Sequence, residues 1–221
     1  MNFKDIVALV EEKLDGRSFV IEKHFRWANI VRKEVAQDAL TAGGHGLYFL
    51  YRSAVVDGGS IAGNSRYSLP DDFVGDLNVF YAGTPLQKIA QPHMALVDKA
   101  LPILRYAIVG NAIELIPTPQ NNGDEIKMVY YAMPGEIDVP DYSDYFITRF
   151  PMIHVYGMAK HGAEALGKPG LVDELYQNEL NKLTLINRRY WLGKARFKLQ
   201  AWDEVEDFDH ISFPRLYDRE V

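Results

Sequence analysis

The chain has 221 residues, 48% hydrophobic and 24% charged, a balance that can bury a full core as one domain or as one domain with a sizeable insertion. It has no cysteine, which excludes disulfide staples, thiolate metal sites and a cysteine nucleophile. Its formal net charge of −6 argues against a DNA reader driven by phosphate neutralisation.

No apolar run approaches the roughly 20 residues that span a bilayer. The opening Met1-Asn2-Phe3-Lys4-Asp5 enters an amphipathic pattern without the n- and h-regions of a signal peptide, so the chain is expected to be cytosolic at synthesis. Phe3 to Leu14 reads as a short helix, with Phe3, Ile6, Val7, Leu9, Val10 and Leu14 on one side and Gly16 as its end. A second helix runs from about Val20 to Leu40. Trp27, Ile30, Val31 and Val35 share its apolar face, while Arg32, Lys33 and Glu34 fall largely outside it.

From Leu47 to about Met133 the texture is that of strands: Tyr48 to Tyr51, Leu77 to Tyr81, Ile108-Val109 and Lys127 to Tyr131 are aromatic and β-branched runs separated by turn signals. Ile103–Gly110 and Ala112–Ile116 form an expected hairpin about Gly110-Asn111, and 87–101 is ambiguous. Ser143 is an expected N-cap for a helix ending near Leu166, and Gly167-Lys168-Pro169-Gly170 breaks it from a last helix, Leu171 to about Lys194, some 35 Å long. The expected fold class is α+β: an antiparallel helical bundle with a β-rich insertion and an extended C-terminal tail. Its parts are helices in 1–44, the insertion in 45–140, further helices in 141–196 and the tail in 197–221.

Little in the sequence points to catalysis or to a bound ion. His154 and His161 are seven residues apart with Glu164 beyond them, but about 10 Å of helical rise separates two such imidazoles, too far to share one ion unaided. Gly43-Gly44-His45-Gly46 and Gly167-Lys168 are glycine-rich turns that lack the phosphate-loop pattern, since Pro169 stands where Ser or Thr is required. The acids at 203–209 lack the glycine and terminal glutamate of a calcium loop. No catalytic residue, cofactor or metal is expected.

The charge pattern of the last third is uneven. Lys182, Arg188, Arg189, Lys194, Arg196 and Lys198 form a basic block; Asp203, Glu204, Glu206, Asp207 and Asp209 follow it. Pairing between neighbouring copies and plain solvation both fit such blocks. The tail carries seven acids and the aromatic residues Phe197, Trp202, Phe208, Phe213 and Tyr217. That composition suits a clamp that orders on a partner by inserting aromatic anchors; the alternative is a tail folded back on its own helices.

Four motifs in order resemble the head-to-tail adaptor proteins of short-tailed bacteriophages over roughly residues 3 to 195. They are Arg26-Trp27-Ala28-Asn29-Ile30-Val31-Arg32-Lys33-Glu34-Val35, then Tyr67-Ser68-Leu69-Pro70-Asp71-Asp72-Phe73, then Tyr130-Tyr131-Ala132-Met133-Pro134, and last Arg149-Phe150-Pro151 opening Val155-Tyr156-Gly157-Met158-Ala159. The resemblance implies a virion protein at the head–tail junction, assembled in the host cytoplasm. It implies a homo-oligomeric, dodecameric ring under the portal protein that receives tail tube, nozzle or fibre proteins and lets DNA pass without specific binding. Rival readings are another tail-complex component, built on the β-rich segment, a peptidoglycan hydrolase using an acid such as Glu164, and a cellular protein with no virion role.

Overall fold

The computed structural model describes residues 1–43, 45–90 and 105–197, the side chains of 42, 43 and 194–197 excepted. Helix α1 (Phe3–Lys13) starts on a capping box: Asn2 Oδ1 accepts from the Asp5 N–H at 3.0 Å and the Asp5 carboxylate accepts from the Asn2 N–H at 2.9 Å. The face read from the sequence is the buried one. Phe3, Ile6, Val10 and Leu14 are fully enclosed, each contributing about 1.5–3 kcal/mol of apolar burial. Helix α2 (Ile21–Gly43) crosses the molecule and is followed by a 3-10 turn at Tyr48–Leu50.

Two four-stranded sheets follow. The first has the order β1 (Tyr51–Val55), β8 (Ile126–Ala132), β3 (Phe73–Tyr81), β4 (Thr84–Pro85). The second has the order β2 (Arg66–Ser68), β7 (Ala112–Ile116), β6 (Arg105–Ile108), β5 (Gln87–Lys88), antiparallel except for the parallel β5–β6 pair. The expected hairpin is present as β6–β7, closed by Val109 N–H donating to Ala112 O across Gly110, whose φ of 62° favours a residue without Cβ. The ambiguous 87–101 stretch contributes β5; its remainder lies mostly outside the described residues. The two sheets share one core, in which Leu77, Val79, Met128 and Tyr130 of the first meet Tyr67, Tyr106, Ile113 and Leu115 of the second.

The helix expected from Ser143 to Leu166 is two helices, α3 (Tyr145–Arg149) and α4 (Pro151–Ala165). Pro151 has no N–H to donate and its ring collides with the carbonyl four residues back, so it can only open a new helix, and it stands at the first position of α4. The cap of α3 is Asp144, whose Oδ1 accepts from Ile147 N–H at 2.9 Å; the Ser143 hydroxyl donates instead to Met1 O. Helix α5 (Asp173–Phe197) completes the described chain.

The antiparallel bundle expected from the sequence is not what the helices build; the fold is a mixed α+β one. Helix α4 is the hub, packing on α1, α2 and α5. It and α1 have 15 and 11 residues against 23 in α2, so they cannot cover all of α2's apolar face. The uncovered part turns to the sheet side: Val35 and Ala36 pack in one core with Leu47 just beyond α2, Tyr131 of β8, Phe146, Phe150 and Leu183. Tyr131 seals that joint by donating its hydroxyl to Ala36 O at 2.9 Å. The expected extended tail lies outside the described residues.

Candidate functional site

The four motif segments sit at joints between elements. Asn29 makes a two-way pair with Ile137, its Nδ2 donating to Ile137 O at 3.0 Å and its Oδ1 accepting from Ile137 N–H at 2.8 Å. That pair ties α2 to the strand-to-helix connection 108 residues later in the chain. Asn29→Ala would leave both backbone groups of the fully buried Ile137 without a partner, an expected loss of about 2 kcal/mol in a thermal or urea melt. The second and third motifs meet each other: Tyr130 donates its hydroxyl to Asp72 at 2.8 Å, Met133 N–H donates to Asp72 O at 2.7 Å, and Arg52 reaches the same carboxylate. In the fourth, Gly157 lets α4 pass close to its neighbours, since a Cβ there would meet Val31 at 2.7 Å and Tyr176 at 3.1 Å.

Arg32 sits inside, contrary to its expected place off the apolar face. It is 1% exposed, paired with Asp144, with the Tyr142 and Phe146 rings each 5.5 Å away. Ala28 and Ala36, four residues to either side on the same face, are buried with it.

His154 is fully buried against Phe146; its Nδ1 lies 3.2 Å from Phe150 O, and burial pushes its pKa down to about 4. His161 instead pairs with Glu164 at 3.6 Å at the surface, so the two histidines do not converge. Among the described residues no group of three or more His, Asp or Glu could hold a metal ion. Glu164, the acid named for the hydrolase reading, is half exposed and does not line the cleft described next.

That cleft, of about 670 Å³, runs between α2 and α5. Val35, Ala39, Leu180 and Leu183 give it an apolar lining, and Arg188, Trp191 and Leu192 stand along the α5 side. Its end is built by residues the sequence reading did not connect. Asn187 Oδ1 accepts from Tyr48 N–H at 3.1 Å, while Asn187 Nδ2 and Trp191 Nε1 both donate to Gly46 O, at 3.2 and 3.1 Å. His45 stacks on Trp191 at 4.8 Å and lies 3.8 Å from Asp76, which also accepts from the Tyr51 hydroxyl. A tryptophan and an asparagine one helical turn apart on α5, with a glycine-rich stretch read only as a turn, were the signal available in the sequence.

Outside the cleft α5 presents Leu175, Leu185 and Ile186 to solvent, and Leu192 is exposed at the cleft's rim. Of the residues expected to pair charges between copies, Arg188 and Arg189 are exposed on this helix and have no ion pair among the described residues. Lys194 and Arg196 lie in its last turns. Asp203, Glu204, Glu206 and Asp207, and the anchors Trp202, Phe208, Phe213 and Tyr217, lie outside the described residues.

A mixed α+β chain whose motif residues serve as packing joints, and whose long last helix carries exposed apolar and basic residues, has the makings of an assembly component. The family model of the SU10 adaptor protein matches residues 1–197, from before α1 to the end of α5. The chain therefore belongs to the SU10 adaptor protein family, and is a structural head-to-tail adaptor of a bacteriophage. No curated protein matches the sequence.

Proposed function

We propose that the chain forms a dodecameric ring beneath the portal protein, connects the capsid vertex to the tail, and leaves a channel through which DNA passes. The family match across 1–197 carries this reading. The surface of α5 supports it, because a run of exposed Leu175, Leu185, Ile186 and Leu192 is the kind of apolar face that assembly covers. A ring of identical copies needs a heterologous interface. Arg188, Arg189, Lys194 and Arg196 of one copy against Asp203, Glu204, Glu206 and Asp207 of the next supply one with opposite charges. Trp202, Phe208, Phe213 and Tyr217 then serve as anchors on the portal protein or on the neighbour, and tail tube, nozzle or fibre proteins dock on the far side. The net charge of −6 keeps passing DNA from sticking. The protein's place is the virion's head–tail junction, reached from the host cytoplasm.

The test is sedimentation of the full-length chain with its portal ring, beside a chain ending at Phe197. The full-length chain is expected to join the portal as a ring and the shortened one to be lost from that fraction. If neither joins, the portal reading fails; if both join equally, the tail is not the anchor.

A further inference from the structure

The α2–α5 cleft has a volume in the range of roughly 300–1,000 Å³ that holds a drug-sized ligand or a few large side chains. It is lined by the very helix from whose end residues 198–221 depart. We propose that in the free chain residues 198–209 of the same copy fold back along α5 and occupy this cleft.

The first argument is reach. Helix α5 ends at Phe197, five residues past Leu192 on the cleft's rim, which is about 8 Å of helix. The cleft extends along α5 from Leu192 to Gln177, roughly 22 Å, and an extended chain covers that in about seven residues. The second is composition. Trp202 and Phe208 match an apolar lining of Val35, Leu180 and Leu183, and the acids between them pass Arg188 at the rim. Asp38 lines the α2 wall and likewise has no ion pair among the described residues. It repels those acids toward the α5 rim, where Arg188 stands. The third is tethering. A short flexible link gives the tail an effective concentration near its own cleft on the order of millimolar, above that of any free neighbour or partner in dilute solution.

The contact needs no ring. Where the ring of the proposed function does form, the same tail can be passed to the next copy, an exchange of identical contacts that costs little because what is lost at home is regained next door.

The absence of natural cysteine allows a direct test in the full-length chain. Thr184, exposed on the cleft side of α5, and Val205 are each replaced by Cys. Mild oxidation of T184C/V205C is expected to give an intramolecular bond at a rate independent of protein concentration. That rate should exceed, by about tenfold, the rate in K182C/V205C, whose helical thiol points about 200° away. Adding Arg188→Glu should slow the bond several-fold at low salt and less so at high salt. Equal rates for the 184 and 182 pairs would show a tail that collides without docking. Crosslinked dimers forming readily when T184C and V205C single variants are mixed would hand the cleft to a neighbouring copy. Either result overturns the proposal while leaving portal binding, measured separately by sedimentation, intact.

Discussion

Replacing Asp144 by Asn is expected to cost the folded chain about 3–5 kcal/mol, read as a fall in the urea midpoint. Arg32 is 1% exposed; Nη1 reaches Asp144 Oδ1 at 3.4 Å and Nη2 pairs with Oδ2, while Nε has no hydrogen-bond partner in the described structure. Deleting the negative charge leaves a guanidinium out of water with a neutral amide oxygen and two aromatic faces in place of its counter-charge. Asn is chosen because it caps a helix as well as Asp, so the loss reports the charge rather than the Ile147 N–H bond. The Asp144 side chain is 28% exposed, which places Arg32→Met below Asp144→Asn in cost: the carboxylate left behind can still draw on solvent and on Ile147 N–H. The double variant should recover much of the loss, since a buried ion pair exchanged for neutral groups is close to neutral. Burial pushes the Asp144 carboxyl up, but the Arg32 hydrogen bond, the Ile147 N–H and the Arg32 charge together hold it below its ordinary value. A depressed carboxylate stabilises the fold above its unfolded pKa of about 4 and loses that contribution as pH falls through the lower folded value. The unaltered chain should therefore weaken with acid in that window, and D144N should lack this part of the slope. A D144N unfolding free energy within about 1 kcal/mol of the unaltered chain's would rule the pair out as a keystone.

This pair also shows where sequence reading stops. Periodicity revealed which faces of α1 and α2 are apolar, aromatic and β-branched runs gave β3 and β8, and the Gly110-Asn111 turn gave the β6–β7 hairpin, because these signals are local. What covers a face is not local. The expected bundle assumed that α2 is covered by helices, whereas its second half lies against Tyr131, a residue 95 positions from its partner Ala36. A charged residue in the apolar stretch, Arg32, was assigned to solvent because its counter-charge lies 112 residues later. The family's motifs were legible in their order, but their roles as joints, Asp72 with Tyr130 and Asn29 with Ile137, exist only once distant segments meet. The cleft was invisible for the same reason: Gly46 lies more than 140 residues of chain before Asn187 and Trp191.

Gly46→Ala is the second large effect, expected to destabilise by about 3 kcal/mol or more, at or above the usual range for overpacking. An added Cβ would lie 2.2 Å from Tyr131 Cε2, 2.3 Å from Cδ2 and 2.6 Å from Cζ. The ring cannot give way: it is fully buried and its hydroxyl is held by Ala36 O. Backbone movement at Gly46 is the alternative, and it is also costly, because Gly46 O accepts from both Asn187 and Trp191 and Gly46 N–H donates to the Tyr51 hydroxyl at 3.3 Å. Either way the damage reaches the end of the α2–α5 cleft and the seat of α5. Gly193 gives the opposite sign from the same chemistry. It lies within α5, and a methyl added there would meet nothing within 4 Å, so Gly193→Ala should gain up to about 1 kcal/mol from helix propensity alone. Combining Gly46→Ala with Tyr131→Leu should cost less than the sum of the two single changes, because the smaller side chain vacates the space the methyl needs. If the two losses simply add, the collision with Tyr131 is not the cause, and displacement of the Gly46 carbonyl from Asn187 and Trp191 becomes the explanation to test by Asn187→Ala.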